Sequence, residues 1–217
     1  MVSGAHDSES RQSAGHFSPI VIGRTIGAIG AFPVSRSLQL RILFVCTGNI
    51  CRSPTAERLA AVLAARLDIP EVSFSSVGTR AVTGHPIHAE AAPVLKRLGG
   101  DPSGFAARQL TPKIAADADL ILTMTRVHRE VVLEAVPRQL HKTFTLSEAA
   151  SLAADFSAQT VTDLAALRSH LVLDERADIA DPIGRNPEQF ARIGTQIANL
   201  LPPILELCRR SSAYVIE

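Results

Sequence analysis

Tryptophan is absent from the 217 residues and tyrosine occurs once, at Tyr214, so a binding face built from several aromatic rings is not available to this chain. Cysteine is also scarce. Cys46, Cys51 and Cys208 are an odd number and too few for a disulfide framework, which fits a reducing compartment. There is no second cysteine pair and no histidine cluster at ligand spacing, so the sequence contains no zinc-site pattern. Charge of one sign is lacking too. Lys and Arg number 22 against 21 Asp and Glu, a net charge of +1, which excludes a whole-surface field that draws in nucleic acid or an anionic membrane. Attraction for an anion has to come from a local site. Finally, no apolar run is long enough to span a bilayer. The most apolar early stretch, residues 17–32, is short and interrupted by Arg24. It also lacks the basic start, unbroken apolar centre and cleavage site of a signal peptide. These absences point to a cytoplasmic protein with no membrane or nucleic-acid partner.

What is present suits one globular domain: 46% hydrophobic and 20% charged residues in a chain long enough to bury a core. Residues 1–38 differ from the rest. Ser, Gly and His dominate 3–16, and Gly23, Gly27 and Gly30 follow, a composition that predicts a disordered leader, with a targeting arm as the alternative. The domain is expected over 39–217. Residues 42–45 form a continuous apolar run, as in a strand buried on both faces. Further strands are predicted at 72–77, 119–124 and 142–146. Helices are predicted at 53–67, 88–98, from Thr111-Pro112, 127–135, 147–154, 162–171 and 187–208, the last disturbed at Pro202-Pro203. Strands alternating with helices imply an α/β fold with a parallel sheet.

The most informative segment is Cys46-Thr47-Gly48-Asn49-Ile50-Cys51-Arg52-Ser53, between the first strand and the first helix. A strand-to-helix loop can turn successive backbone N–H groups into one hollow, and the helix N-terminus adds partial positive charge, which suits a phosphate dianion. Gly48 and Asn49 tolerate the left-handed backbone that a tight loop requires. Five residues separate Cys46 from Arg52, enough for the loop to bring both side chains onto one anion. Arg52 can then donate two parallel hydrogen bonds to phosphate oxygens. The same field favours a thiolate at Cys46, a nucleophile placed opposite phosphorus, and the Ser53 hydroxyl can donate to that sulfur.

These residues resemble the low-molecular-weight protein tyrosine phosphatases, whose signature is a Cys, five residues, Arg and Ser or Thr directly after the first strand. The resemblance continues through Ser76-Val77-Gly78-Thr79, Ala107-Arg108-Gln109-Leu110, the run from Ala118 to Met124, and Asp181-Pro182. It covers roughly residues 40–210. It implies a four-stranded parallel sheet of order 2-1-3-4 with helices on both faces, no metal or organic cofactor, and a monomer. It also implies hydrolysis of phosphotyrosine through a cysteinyl-phosphate on Cys46. Arg52 would bind the phosphate and the transition state, with Thr47, Gly48, Asn49, Ile50, Cys51 and Ser53 completing the phosphate site.

The resemblance further implies phosphorylated protein substrates, among them a bacterial tyrosine kinase linked to polysaccharide export. Arginine phosphatases and arsenate reductases share the fold, and an inactive phosphoprotein-binding module is a rival of another class. Ile50 resembles the tyrosine phosphatases at a position where arginine phosphatases have Thr.

A leaving alkoxide or phenoxide needs a proton, which a positioned carboxylic acid supplies. Two Asp-Pro pairs qualify, Asp101 and Asp181. A turn after Gly99-Gly100 explains Asp101. Asp181 precedes the last helix, where the family keeps its acid, and Asp178 is the runner-up. Cys51 reads either as a resolving thiol for Cys46 or as a small side chain packed under the loop, and Cys208 as packing. The family's aromatic after Asp-Pro is replaced here by Ile183, and Phe105 stands where several members have a His that supports the loop Asn. Arg80 and Arg185 border the expected cleft or are simply solvated. Residues 149–173 exceed the family's usual connection and read as a lid, a partner surface or an inserted helix.

Overall fold

The computed structural model describes residues 39–156, 158–171 and 178–213. The expected leader, part of the acidic loop and Tyr214 lie outside them. The first strand, β1 (Leu40–Cys46), is buried from Ile42 to Cys46. Because side chains alternate along a strand, β1 supplies two cores at once. Ile42, Phe44 and Cys46 join one apolar cluster, whereas Leu43 and Val45 join a second. A strand with both faces covered reads as unbroken hydrophobicity, and this is the physical origin of the apolar run in the sequence.

Strands β2 (Val72–Gly78), β3 (Leu120–Thr123) and β4 (Thr143–Thr145) complete a parallel sheet of order β2-β1-β3-β4, as expected. The chain leaves β1 between β2 on one side and β3 on the other, the switch point where open α/β sheets form a crevice. Helices α1 (Arg52–Arg66), α2 (Ala91–Arg97), α5 (Leu146–Asp155) and α7 (Pro187–Ala213) contribute to the larger cluster. On the opposite face α3 (Pro112–Asp117) and α4 (Arg126–Ala135) bury Ala115 and Val132 against Leu43, Val45 and Ile121. Thr111 and Thr125 cap α3 and α4 by accepting the N–H groups of Ile114 and His128.

Three expectations about helices are corrected. α1 begins at Arg52, one residue earlier than predicted, so Pro54 stands third in the helix, still in the first turn where its missing N–H has no intrahelical acceptor. α2 begins at Ala91 and not at residue 88: His88, whose amide is tied to the Ile50 carbonyl at 2.7 Å, opens a tighter turn in which the amides of Ala91 and Ala92 share its carbonyl, both at 2.9 Å. α7 runs through Pro202 and Pro203 without a break and continues to Ala213. Each proline removes a hydrogen bond, but Ile197, Leu201, Ile204, Leu205 and Cys208 are fully buried along the same helix, and that burial outweighs the loss.

The long connection after α5 is a packed helix. α6 (Val161–Leu167) starts with a capping box from Thr160 and Asp163 and buries Leu164. The 3₁₀ turn that follows carries Arg168, whose guanidinium lies 4.0 Å over the Phe144 ring and donates to the carbonyls of Leu140, at 3.1 Å, and Thr143. β4 is an edge strand, and Arg168 occupies carbonyl groups beside it that would otherwise invite another strand. Arg168→Met keeps the stem but loses these bonds, and should lower the unfolding free energy by about 2 kcal/mol in a urea titration.

Candidate active site

The loop from Cys46 to Arg52 is held open by its own carbonyls. Those of Cys46, Thr47 and Gly48 accept the amides of Thr79, Arg80 and Val82 at 2.9 to 3.0 Å, and that of Ile50 accepts His88. With its carbonyls turned outward to the β2–α2 connection, the loop turns its amides the other way. None of the amides from Thr47 to Cys51 donates to a protein acceptor among the described residues. α1 starts here with no side-chain cap, so its positive end is also open.

Asn49 makes this geometry possible. It has φ +55°, a left-handed conformation that Asn tolerates better than most residues. Its side chain is fully buried and fully bonded: Oδ1 accepts the Arg108 amide at 2.7 Å, and Nδ2 donates to Ser53 Oγ at 2.9 Å and Ser76 Oγ at 2.8 Å. Ser76 passes its own proton to Glu57 at 2.5 Å. Burial pushes the Glu57 carboxyl up, and the Ser76 hydrogen bond opposes that shift. Gly48, expected to share the left-handed strain, has no positive φ, and a Cβ there meets only ordinary contacts. The glycine the loop does require is Gly78, where a Cβ would lie 2.4 Å from the Thr47 carbonyl oxygen.

Cys46 Sγ lies 3.0 Å from Ser53 Oγ. Asn49 donates to that oxygen, and the Ser53 hydroxyl has two acceptors in reach, the sulfur and the Val77 carbonyl at 3.3 Å. Arg52 is 4% exposed and converges on the same hollow. Its Nη1 donates to the Ile179 carbonyl at 3.1 Å and its Nη2 to Asp181 Oδ2 at 2.6 Å, while its buried Nε has no partner among the described residues. The Nε–Nη2 edge of the guanidinium is the fork that suits a tetrahedral oxyanion, and Asp181 now occupies half of it.

The carboxylate candidates separate clearly. Asp181 reaches Arg52. Asp178 is committed to accepting the Arg126 amide at 3.0 Å, which ties the acidic loop to the start of α4. Asp101 closes a turn on Ser103. The cleft above the loop has a volume of about 340 Å³ and walls from Ile50, Val82 and Ile183, with Arg80 and Asp181 at its rim. Arg185 lines a neighbouring hollow on the far side of Asp181. Phe105 makes an aromatic contact with Arg58 and takes no part in holding Asn49. The Cys51 thiol is pushed up to about 12, first by burial and then by Cys46. Cys208, in the core of α7, is likewise pushed up to about 12 by burial. No disulfide joins the three cysteines, and no group among the described residues could hold a metal ion.

The sequence reading missed one member of the site. His128, on the first turn of α4, is 6% exposed, and its Nε2 lies 2.8 Å from Thr47 Oγ1. A single histidine five residues beyond an apolar strand carries no signal that would have found it. Burial, then the positive charge of Arg52, pushes its pKa from 6.5 down to about 4. The unfolded chain therefore binds the proton more readily than the folded one between these values, so folding loses stability as pH falls from 6.5 to 4. Replacing His128 with Gln should flatten the pH dependence of the unfolding free energy over that interval, measured by urea titration at each pH.

The family model for low molecular weight phosphotyrosine protein phosphatase matches residues 41–212. The protein-tyrosine-phosphatase Etp of Escherichia coli K12 is 42% identical over 102 residues, 47% of this chain and 66% of that one. A protein-arginine-phosphatase of Geobacillus stearothermophilus is 32% identical over 169 residues, 78% of this chain and 96% of that one. The crystal structure of the Erwinia amylovora tyrosine phosphatase AmsI superposes with a TM-score of 0.58 at 29% identity, covering 75% of this chain and 89% of the other. A match that spans the sheet, the anion loop and the acidic loop together places this chain in the low-molecular-weight protein-tyrosine-phosphatase family.

Proposed function

We propose that this chain hydrolyses phosphotyrosine in proteins through a cysteinyl-phosphate on Cys46. The observation that carries the proposal is the convergence of a thiol, a guanidinium fork and inward-turned amides on one hollow. A phosphoryl dianion entering the cleft takes the place of the Asp181 carboxylate on Arg52. Nε and Nη2 then hold two equatorial oxygens, and the loop amides from Thr47 to Ser53 hold the rest. The Cys46 thiolate, supported by the Ser53 hydroxyl, attacks phosphorus. Released from Arg52, the Asp181 carboxylate takes up a proton from solvent; as the S–P bond forms, the P–O bond to the tyrosyl oxygen breaks and Asp181 gives that oxygen this proton. The Asp181 carboxylate next takes a proton from water. The hydroxide so generated attacks phosphorus, the S–P bond breaks, and inorganic phosphate and the thiolate are regenerated.

An aromatic substituent is favoured by the cleft walls. Ile183 and Val82 are among the large hydrophobic side chains left exposed, at 43% and 39%, and both face the cleft with Ile50. They offer aliphatic contact to a phenyl ring and no polar partner for a guanidinium. A thiol relay of the arsenate-reductase kind is disfavoured by Cys208, which is fully buried within α7. We assign the protein to the cytoplasm as a monomer acting on phosphorylated proteins, a tyrosine kinase of polysaccharide export among them. Among the described residues no helix is long and apolar enough to cross a membrane.

Phosphotyrosine and phosphoarginine peptides assayed in parallel should show turnover of the first and little of the second, and Cys46→Ser should abolish it. Asp181→Asn should lower kcat on a phosphotyrosine peptide by roughly 10²–10³-fold. The same variant should bind inorganic phosphate at least as tightly as the wild type, because the competing carboxylate has left Arg52. Unchanged turnover in Asp181→Asn would remove this residue from the mechanism.

A further inference from the structure

We propose that His128 is a positioning residue for Arg52, acting through the hydroxyl of Thr47. The inference rests on the phosphatase reading of the loop and adds a residue outside it.

The His128 ring bridges two hydroxyls. Thr125 Oγ1 accepts the His128 backbone N–H at 3.2 Å as the cap of α4, and lies 2.8 Å from the ring Nδ1. The other ring nitrogen, Nε2, lies 2.8 Å from Thr47 Oγ1. Each hydroxyl has one hydrogen and two lone pairs, so both neutral tautomers of the ring complete the bridge. Arg52 Nη2 meets the same oxygen at 3.4 Å. The result is a continuous line from the α4 cap to the anion-binding guanidinium: Thr125, His128, Thr47, Arg52.

That line fixes what the loop alone leaves loose. The Thr47 backbone is held by Arg80, which donates to its carbonyl at 2.9 Å, but without His128 the hydroxyl would keep only the longer contact to Arg52. With Thr47 Oγ1 and the Ile179 carbonyl both in place, the Arg52 plane is pinned at both terminal nitrogens, and its Nε–Nη2 edge stays turned to the hollow. The charge state suits the task. The ionic groups that face His128 are Arg52 and Arg80, which oppose its protonation, and Asp181, which favours it. The burial and the cations prevail, so the ring is neutral and adds no repulsion beside Arg52.

Two amides of different length test the idea in the full chain. Asn at position 128 keeps a group near Thr125 but stops short of Thr47, whereas Gln can place an N–H where Nε2 now lies. With p-nitrophenyl phosphate, His128→Asn and Thr47→Val should each lower kcat/KM roughly tenfold, and His128→Gln should stay within about threefold of wild type. The double variant His128→Asn/Thr47→Val should again fall roughly tenfold, because both changes break the same line. A fall of roughly a hundredfold in the double variant, or equal impairment by Asn and Gln, overturns the role. If the wild type turns over no phosphomonoester, the proposed function fails by itself. The same cycle is then read as the Kd for inorganic phosphate by calorimetry, where additive losses overturn the positioning role.

Discussion

The buried side-chain amide of Asn49 is the interaction on which the site depends. One residue in a left-handed turn lets the chain reverse its carbonyls, and three hydrogen bonds from that side chain keep it there. The consequences reach in two directions. Toward the core, Ser76 and Glu57 satisfy the network in a region where an unpaired polar group would be expensive. Toward the cleft, the bond to Ser53 holds its hydroxyl 3.0 Å from the cysteine sulfur. The anion hollow is thus built into the fold before any ligand arrives.

Charge is arranged around that hollow with the same economy. The positive groups are the end of α1, Arg52 and, at the rim, Arg80. The neighbouring titratable groups are kept from adding to or diluting this field. His128 is held neutral by burial and by the adjacent cations, and the Cys51 thiol is held protonated by burial and by Cys46. The counter-charge is Asp181, 45% exposed, which pairs with Arg52 through a single nitrogen and leaves the buried Nε without a partner among the described residues.

Much of the fold was legible in the chain because its signals are local. The apolar run at 42–45, the Thr-Pro cap at 111–112 and the strand–helix alternation each reflect one element's own burial or hydrogen bonding, and the sheet order followed from the family resemblance carried by these motifs. Expectations failed where distant partners overrode the local preference. His88, anchored to the anion loop by its amide, opens a tighter turn ahead of α2, and the tandem prolines were absorbed by a helix buried on both sides of them, at Ile197, Leu201, Ile204 and Leu205. Gly48 and Gly78 show the same division. A glycine inside a tight loop looks indispensable from sequence, yet the close approach that excludes a Cβ occurs at the end of the neighbouring strand.

The sequence by itself determined the chemistry. The order Cys46, Gly48-Asn49, Arg52-Ser53 between a strand and a helix is contiguous, so its anion-binding character needs no partner from elsewhere in the chain to be recognised. Tertiary structure decided everything that depends on groups far apart in sequence. It brought Asp181 rather than Asp178 or Asp101 to Arg52, placed Ser76 and Arg108 around Asn49, and set His128 behind Thr47 across a separation of 81 residues. The reason is physical: hydrogen bonds and ion pairs act over a few ångströms of space, and only the folded sheet turns sequence distance into that kind of proximity.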